Sequence, residues 1–333
     1  MKIYIRVLPA IDALALVFMF SLTSVSQETP SMEARMSASS LISQADSLFN
    51  SRQYDQARDL YMQAADNAQA AGDNSELIEA YAMIARTYLT VDNKEPGRAW
   101  LDKAALYARK GEPLGWSRYL GVRGRFEWKD NQLEKASSTF KEMYQYCSDN
   151  KLYERAIDAA HMVAIVGGPE EQVEWRLKGI KEAEAGNVTR WLGPLWNNLG
   201  WTYESTGKYK ESVEAYIKAR EYHYKYSDEK SKLMADWALG HAYRLNGQVD
   251  SAAQWITPDL LAKFETLGDD EFQGWVFKEL GEIAILRSEP DSALAFLVRA
   301  EEKLRAADVP NWDAEGFKKL QEQIAGLKGK GKE

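Results

Sequence analysis

A small residue followed four places later by a bulky apolar one, usually with a second small residue three places beyond, recurs along this chain at a spacing near forty residues. The clearest copies are Ala57/Tyr61/Ala64, Gly97/Leu101/Ala104, Ala136/Phe140/Met143, Ser212/Tyr216/Ala219 and Ala293/Leu297/Ala300. Ala252/Ile256 keeps the first two members and loses the third to Asp259. First members lie 40, 39, 76, 40 and 41 residues apart, and the gap of 76 holds one degenerate copy over residues 172–179. A fixed period of this length predicts helix pairs stacked side by side, each burying its apolar face only against its neighbours. The fold class expected is all-α, a right-handed solenoid of about seven helix hairpins closed by a C-terminal capping helix. Function in such an array lies on an extended surface.

The fullest copy runs Trp196-Asn197-Asn198-Leu199-Gly200-Trp201-Thr202-Tyr203, then Gly207-Lys208-Tyr209, then Ser212, Tyr216 and Ala219. Leu199, Gly200 and Tyr203 share one helix face at three- and four-residue spacing. Gly207 supplies the positive φ of a tight turn. Leu239-Gly240 with Gly247 and Ala252 follows the same scheme, as does Leu280-Gly281 with Phe277 and Ala293, Pro290 being placed in the turn. Tyr81, Ile84, Ala85 and Tyr88 fit a first helix whose partner is expected to begin at Pro96. Gly124, Asn131, Ala136 and Phe140 mark another copy, and Gly167-Gly168-Pro169 turns the weakest, residues 152–186. These residues resemble the tetratricopeptide repeat, W-x2-L-G-x2-Y followed by A-x3-F-x2-A, over residues 38–307. The period near forty exceeds the usual 34 and is similar to the long-period arrays of kinesin light chains and maltose-regulator-type activators. Residues 313–327, with Phe317, Leu320, Ile324 and Leu327 on one face, form the expected capping helix. Residues 328–333 are expected to be a disordered tail.

The N-terminus differs in kind. Lys2 and Arg6 precede a mostly apolar stretch ending at Leu22, and Ser24-Val25-Ser26 offers small residues before polar Gln27-Glu28. That layout predicts a signal peptide over 1–26, cleaved near Ser26/Gln27, then a flexible linker over 27–37 and the array with its cap over 38–327. A retained anchor, or a start at Met32 or Met36, are the alternatives. The protein is accordingly expected to be exported, periplasmic or secreted, without a membrane span in the mature chain.

With 333 residues and a net charge of −8, attraction to nucleic acid is not expected. One cysteine, Cys147, excludes an internal disulfide and is placed half-buried in a last helical turn. Three histidines, His161, His223 and His241, are too few and too spread for a metal or catalytic cluster, and no phosphate loop, nucleophile elbow or dinucleotide fingerprint occurs. No cofactor is expected, and the chain is read as non-enzymatic.

In the family this chain resembles, positions five, nine and twelve of the first helices point into a concave groove. Carried onto this sequence, the resemblance implies a partner-binding set of Arg86, Arg125, Trp128, His161, Asn197, Trp201, Trp237, His241 and Arg244, flanked by Asp46, Glu204 and Glu282. Arginine and aromatic side chains dominate interface energies. The implied function is a scaffold holding a protein or peptide with acidic and aromatic groups. The alternative is a ligand- or peptide-responsive module acting on a separate signalling protein. The competing structural reading has the tryptophans packing between repeats and the arginines pairing with nearby glutamates. Arg86→Glu with Arg125→Glu is expected to weaken partner binding with little loss of melting temperature. Homo-oligomerisation is left open.

Overall fold

The computed structural model describes residues 36–330, so the expected signal peptide and most of the linker lie outside the described residues. Among the described residues there is no strand, and the chain divides into two compact units at residues 171/172.

The first unit contains α1 (Ala38–Asn50), α2 (Tyr54–Ala71), α3 (Asn74–Thr90), α4 (Lys94–Tyr107), α5 (Pro113–Lys129), α6 (Leu133–Asp149) and α7 (Tyr153–Val166). Helix α8 (Pro169–Ala185) crosses the division. The second unit continues with α9 (Leu192–Ser205), α10 (Tyr209–Tyr226), α11 (Glu229–Leu245), α12 (Val249–Trp255), α13 (Pro258–Thr266), α14 (Asp270–Leu286), α15 (Pro290–Ala306), α16 (Val309–Trp312) and α17 (Ala314–Lys330). Within each unit, chain neighbours pack on one another, and α3 also packs on α5. This is the tetratricopeptide-type array of helix hairpins that the period implies.

The period has a packing cause. A Cβ added at Gly124 would meet the Phe140 ring at 2.6 Å, one at Gly200 the Tyr216 ring at 3.0 Å, one at Gly240 Ile256 at 2.7 Å, and one at Gly281 Leu297 at 2.5 Å. In every case the large residue stands sixteen positions after the glycine, on the second helix of the same hairpin or, for Ile256, on the residue that caps it. Phe140, Tyr216, Ile256 and Leu297 are all buried, so each fills the gap its glycine opens and lets the two backbones approach. Adding a methyl group at such a site overpacks the core at a cost of about 1–3 kcal/mol.

The turns repeat too. Arg52, Asp92, Asn131, Gly207, Gly247 and Ser288 each close the first helix of a hairpin with positive φ, between 58° and 75°. Gly207 behaves as its sequence context predicts, at φ 75°. The non-glycine residues hold a left-handed conformation that costs roughly 1–2 kcal/mol apiece, repaid by the packing it permits.

Four sequence expectations need adjustment. Helix α4 starts at Lys94, so Pro96 lies at its third position, still in the first turn, where no intrahelical N–H is required. Pro290 is the first residue of α15 rather than part of the turn. Cys147 is fully buried, not half-buried. Helix α17 runs to Lys330, so residues 328–330 are helical, and 331–333 lie outside the described residues. The hairpin carrying Ala252/Ile256 also breaks its second helix in two. Pro258 cannot continue the helix, and Thr257 caps α13 by accepting the Leu260 N–H at 3.1 Å. At the C-terminal end, Phe317, Leu320 and Ile324 of α17 are buried with Phe277, Leu297, Leu304 and Val309, which closes the apolar face of α15.

Candidate functional site

In the first unit, the first helices α1, α3, α5 and α7 are joined by a polar seam. Arg118 donates to Asp46 Oδ2 at 2.7 Å and to Glu79 Oε2 at 3.2 Å, linking α5 to both α1 and α3. Arg155 of α7 reaches the same Glu79 carboxylate, and also the Ser117 hydroxyl at 2.6 Å and the Leu114 carbonyl. Arg125 donates to Asp158 Oδ1 at 2.6 Å and to the Gly121 carbonyl at 2.9 Å. Tyr61 of α2 donates to Asp46 at 2.5 Å.

Glu79 is only 5% exposed, and a carboxylate so placed is tolerable because two guanidiniums meet it. Burial works against ionisation of Asp158, but Arg125 and Arg86 override it and hold its pKa down to about 2. Burial likewise opposes the Arg118 charge, and Asp46 with Glu79 more than restores it. For Arg155, burial and then Arg118 prevail, and its pKa is lowered.

Arg86 on α3 differs from these three. Burial, followed by the repulsion of Arg125, lowers its pKa to about 10, with Asp158 only partly compensating. Its guanidinium lies over the Phe49 ring, 4.9 Å from the centroid. A solvent-open hollow, about 260 Å³ with the open solvent at its mouth included, is lined by Arg86, Arg118, Gly121, Arg125, Arg155 and Asp158, with Ser117, Val122 and Met143 completing it.

The second unit has its own seam, across α9, α11 and α14. His241 contacts Glu279 Oε1 through Nδ1 at 2.8 Å and Glu204 Oε1 through Nε2 at 3.2 Å. Arg244 donates to both Glu279 oxygens, at 2.6 and 3.0 Å. Burial alone would discharge His241; the field of Glu279 and the hydrogen bonds to Glu204 and Glu279 reverse this and raise its pKa to about 9, so the ring is an imidazolium at neutral pH. Trp237 stacks on His241, with centroids 5.2 Å apart and planes 13° apart, and presents its ring to Phe272 edge-on.

The structure therefore distributes the residues singled out by sequence over both units. In the first unit, Arg86 and Arg125 line the hollow, Trp128 lies half-buried near the end of α5, and His161 lies half-buried on α7 one turn beyond Asp158. In the second, His241 and Arg244 are engaged by internal carboxylates and Trp237 packs against the apolar cluster around Leu239, while Asn197 and Trp201 are half-buried on α9. For Arg125, His241, Arg244 and Trp237 the structural reading describes their contacts. Glu282, one of the flanking acids, accepts from Gln323 of the capping helix at 2.8 Å.

Sequence reasoning passed over Arg118 and Arg155. A signal was present: Arg118 follows Glu79 by 39 residues, one repeat period, at a first-helix position other than the three assigned to the groove. Among the described residues no group of three or more His, Cys, Asp or Glu side chains is arranged to hold a metal ion, and no helix is long and apolar enough to cross a membrane.

Comparison with known proteins agrees with this architecture. The family model described as tetratricopeptide repeat matches residues 193–221, the α9–α10 hairpin. No curated protein sequence matches the chain. Among solved structures, a Pyrococcus horikoshii signal transduction ATPase with numerous domains, which has a tetratricopeptide repeat sensor, superposes with a TM-score of 0.67 at 15% identity, over 82% of this chain and 43% of that longer protein. The apo form of RapI gives 0.52 at 14% identity, covering 88% of this chain and 94% of that one. Aspartyl phosphate phosphatase F from Bacillus subtilis gives 0.51 at 14% identity, covering 79% of this chain and 69% of that one. At these identities the likeness is one of fold.

Proposed function

For a chain that is a tetratricopeptide-repeat protein, we propose a non-enzymatic scaffold that holds a protein or peptide segment along the first helices of its hairpins. One observation carries this reading: four guanidiniums gather around an open hollow on the first helices of the first unit, and three of them are held in place by its carboxylates. A surface whose rotamers are set in advance loses little entropy on binding. Its chemistry, guanidiniums around the hollow and half-buried indoles such as Trp128 and Trp201 elsewhere on the first helices, suits acidic and aromatic groups. Nothing in this chemistry favours nucleic acid, and the net charge of −8 opposes it.

The protein is further proposed to act outside the cytoplasm, in the periplasm or beyond, after cleavage near Ser26/Gln27. N-terminal sequencing of the protein recovered from cells tests this; a chain beginning at Met1, Met32 or Met36 would contradict it.

A second reading, a ligand- or peptide-responsive module acting on a separate signalling protein, is favoured by the neighbours in fold, which include an ATPase bearing a tetratricopeptide repeat sensor. The two share the binding step and differ in whether the captured partner's activity changes on binding.

Photo-crosslinking tests the shared step. A crosslinking amino acid placed at Trp128 or at Trp201 is expected to capture partner chains from a native extract, while one at Leu106 of α4 or Ile217 of α10, both exposed on second helices, is not. Adducts confined to Leu106 and Ile217 would overturn the proposal.

A further inference from the structure

Around the hollow of the first unit, four guanidiniums (Arg86, Arg118, Arg125 and Arg155) stand against three carboxylates, those of Asp46, Glu79 and Asp158. The pairing is uneven. Arg118 takes Asp46 and Glu79, Arg155 takes Glu79, and Arg125 takes Asp158. Among the described residues no carboxylate lies within ion-pair distance of Arg86, and the strongest field it feels is the repulsion of Arg125. The Phe49 ring beneath it offers a cation a fraction of what an anion does. Donors are left over as well. Arg118 spends Nε and Nη2 on its two acids, and Arg155 spends Nη1 and Nη2 on Leu114, Ser117 and Glu79. Arg118 Nη1 and Arg155 Nε therefore have no acceptor among the described residues, nor has any nitrogen of Arg86. Each of these nitrogens keeps contact with solvent.

We infer that this hollow is a binding site for a small inorganic monoanion of the chloride class, held at the Arg86 guanidinium and completing the charge balance of the seam. The surplus is one positive charge, which a monoanion cancels. A dianion such as sulfate would overshoot and be repelled by Asp158 in the same lining. The shape of the donor set points the same way. The unused N–H groups belong to α3, α5 and α7, three separate elements around one hollow. A spherical ion accepts N–H donors from any direction, so it can draw on all three. Desolvation of Arg86 without an acid is costly, and an ion that offsets it stabilises the folded state in proportion to its binding. The inference stands apart from the scaffold reading, because it concerns a counter-ion of the seam and holds whether or not a partner is captured.

The test is thermal unfolding of the full chain at constant ionic strength, with sodium chloride exchanged stepwise for sodium sulfate, on the wild type and on Arg86→Met. The difference between the two proteins cancels the general effect of each salt on stability. Chloride is expected to raise the melting temperature of the wild type by about 2–4 °C more than that of Arg86→Met, and without halide the difference should vanish or reverse. Arg86→Lys, which keeps a point charge, should retain part of the chloride response. Circular dichroism establishes that the variants are folded. A second measurement needs no variant: a crystal grown with bromide is expected to show an anomalous peak within hydrogen-bond distance of the Arg86 guanidinium. Equal salt responses from the wild type and a folded Arg86→Met overturn the inference, and a bromide peak in that case marks an adventitious ion only. Absence of a bromide peak at Arg86 overturns it too, including where Arg86→Met fails to fold.

Discussion

Arg176 explains why one repeat is hard to see in the sequence. It stands sixteen residues after Ala160, where the other hairpins place Tyr61, Leu101, Phe140, Tyr216, Ile256 and Leu297. It is 7% exposed, donates through Nε to the Thr202 hydroxyl at 2.6 Å, and keeps Nη1 buried without a hydrogen-bond partner. Burial lowers its pKa to about 10, and no acid counteracts this. A cation in a position built for an apolar side chain stabilises less than that side chain would. Arg176→Met keeps the length and removes the charge, and Thr202 stays satisfied because its hydroxyl donates to the Asn198 carbonyl at 2.9 Å. Chemical denaturation should find this variant more stable by about 1–3 kcal/mol; a loss of stability would mean that the guanidinium has a compensating partner. The anchor pattern in the sequence breaks at the residue where the packing rule itself is broken.

Between elements, the second unit depends on a histidine bridging α9 and α14 from α11. The His241 pKa is about 9 in the fold against 6.5 as the ordinary value. Its stabilising contribution is therefore complete below about pH 6.5 and is lost as pH rises through 9. Thermal unfolding followed from pH 7 to pH 10 should fall more steeply in the wild type than in His241→Gln, and the two curves should converge at the alkaline end. Parallel curves would place the charge elsewhere. The seam of the second unit also shows what was legible. His241 and Arg244 could be assigned to an inward-facing position from their repeat register, because period and spacing survive in one dimension. Glu279, whose carboxylate neutralises both, could not be matched to them, since it lies on a first helix one hairpin later and only stacking brings it near. The breaks and caps were readable where a residue acts locally, as at Gly207, and less so where position within the first turn had to be fixed, as at Pro96 and Pro290.

Across the whole molecule, both units solve one problem in the same way. Hairpins closed by small residues stack so that their first helices bring charged side chains together, and each unit pairs these side chains across hairpins. The array, its period and its cap follow from one repeated pattern of small and large residues. The surface chemistry does not, because whether an arginine is free or consumed depends on acids a full repeat or more away in sequence, as Asp46 is from Arg118. For the same reason the pair Arg86→Glu and Arg125→Glu is not a clean probe of binding: removing Arg125 leaves Asp158 without its closest cation.

The central claim is that three arginines of the first seam hold the fold by meeting its carboxylates, and that Arg86, which meets none directly, does not. Thermal and chemical unfolding of Arg86→Met beside Arg125→Met, both without ligand, tests it most directly. The account predicts that Arg86→Met is as stable as the wild type or more so, by about 1 kcal/mol, while Arg125→Met loses roughly 3 kcal/mol by stranding a carboxylate. A destabilised Arg86→Met, comparable to Arg125→Met, would make Arg86 one more structural member of the seam and contradict the account.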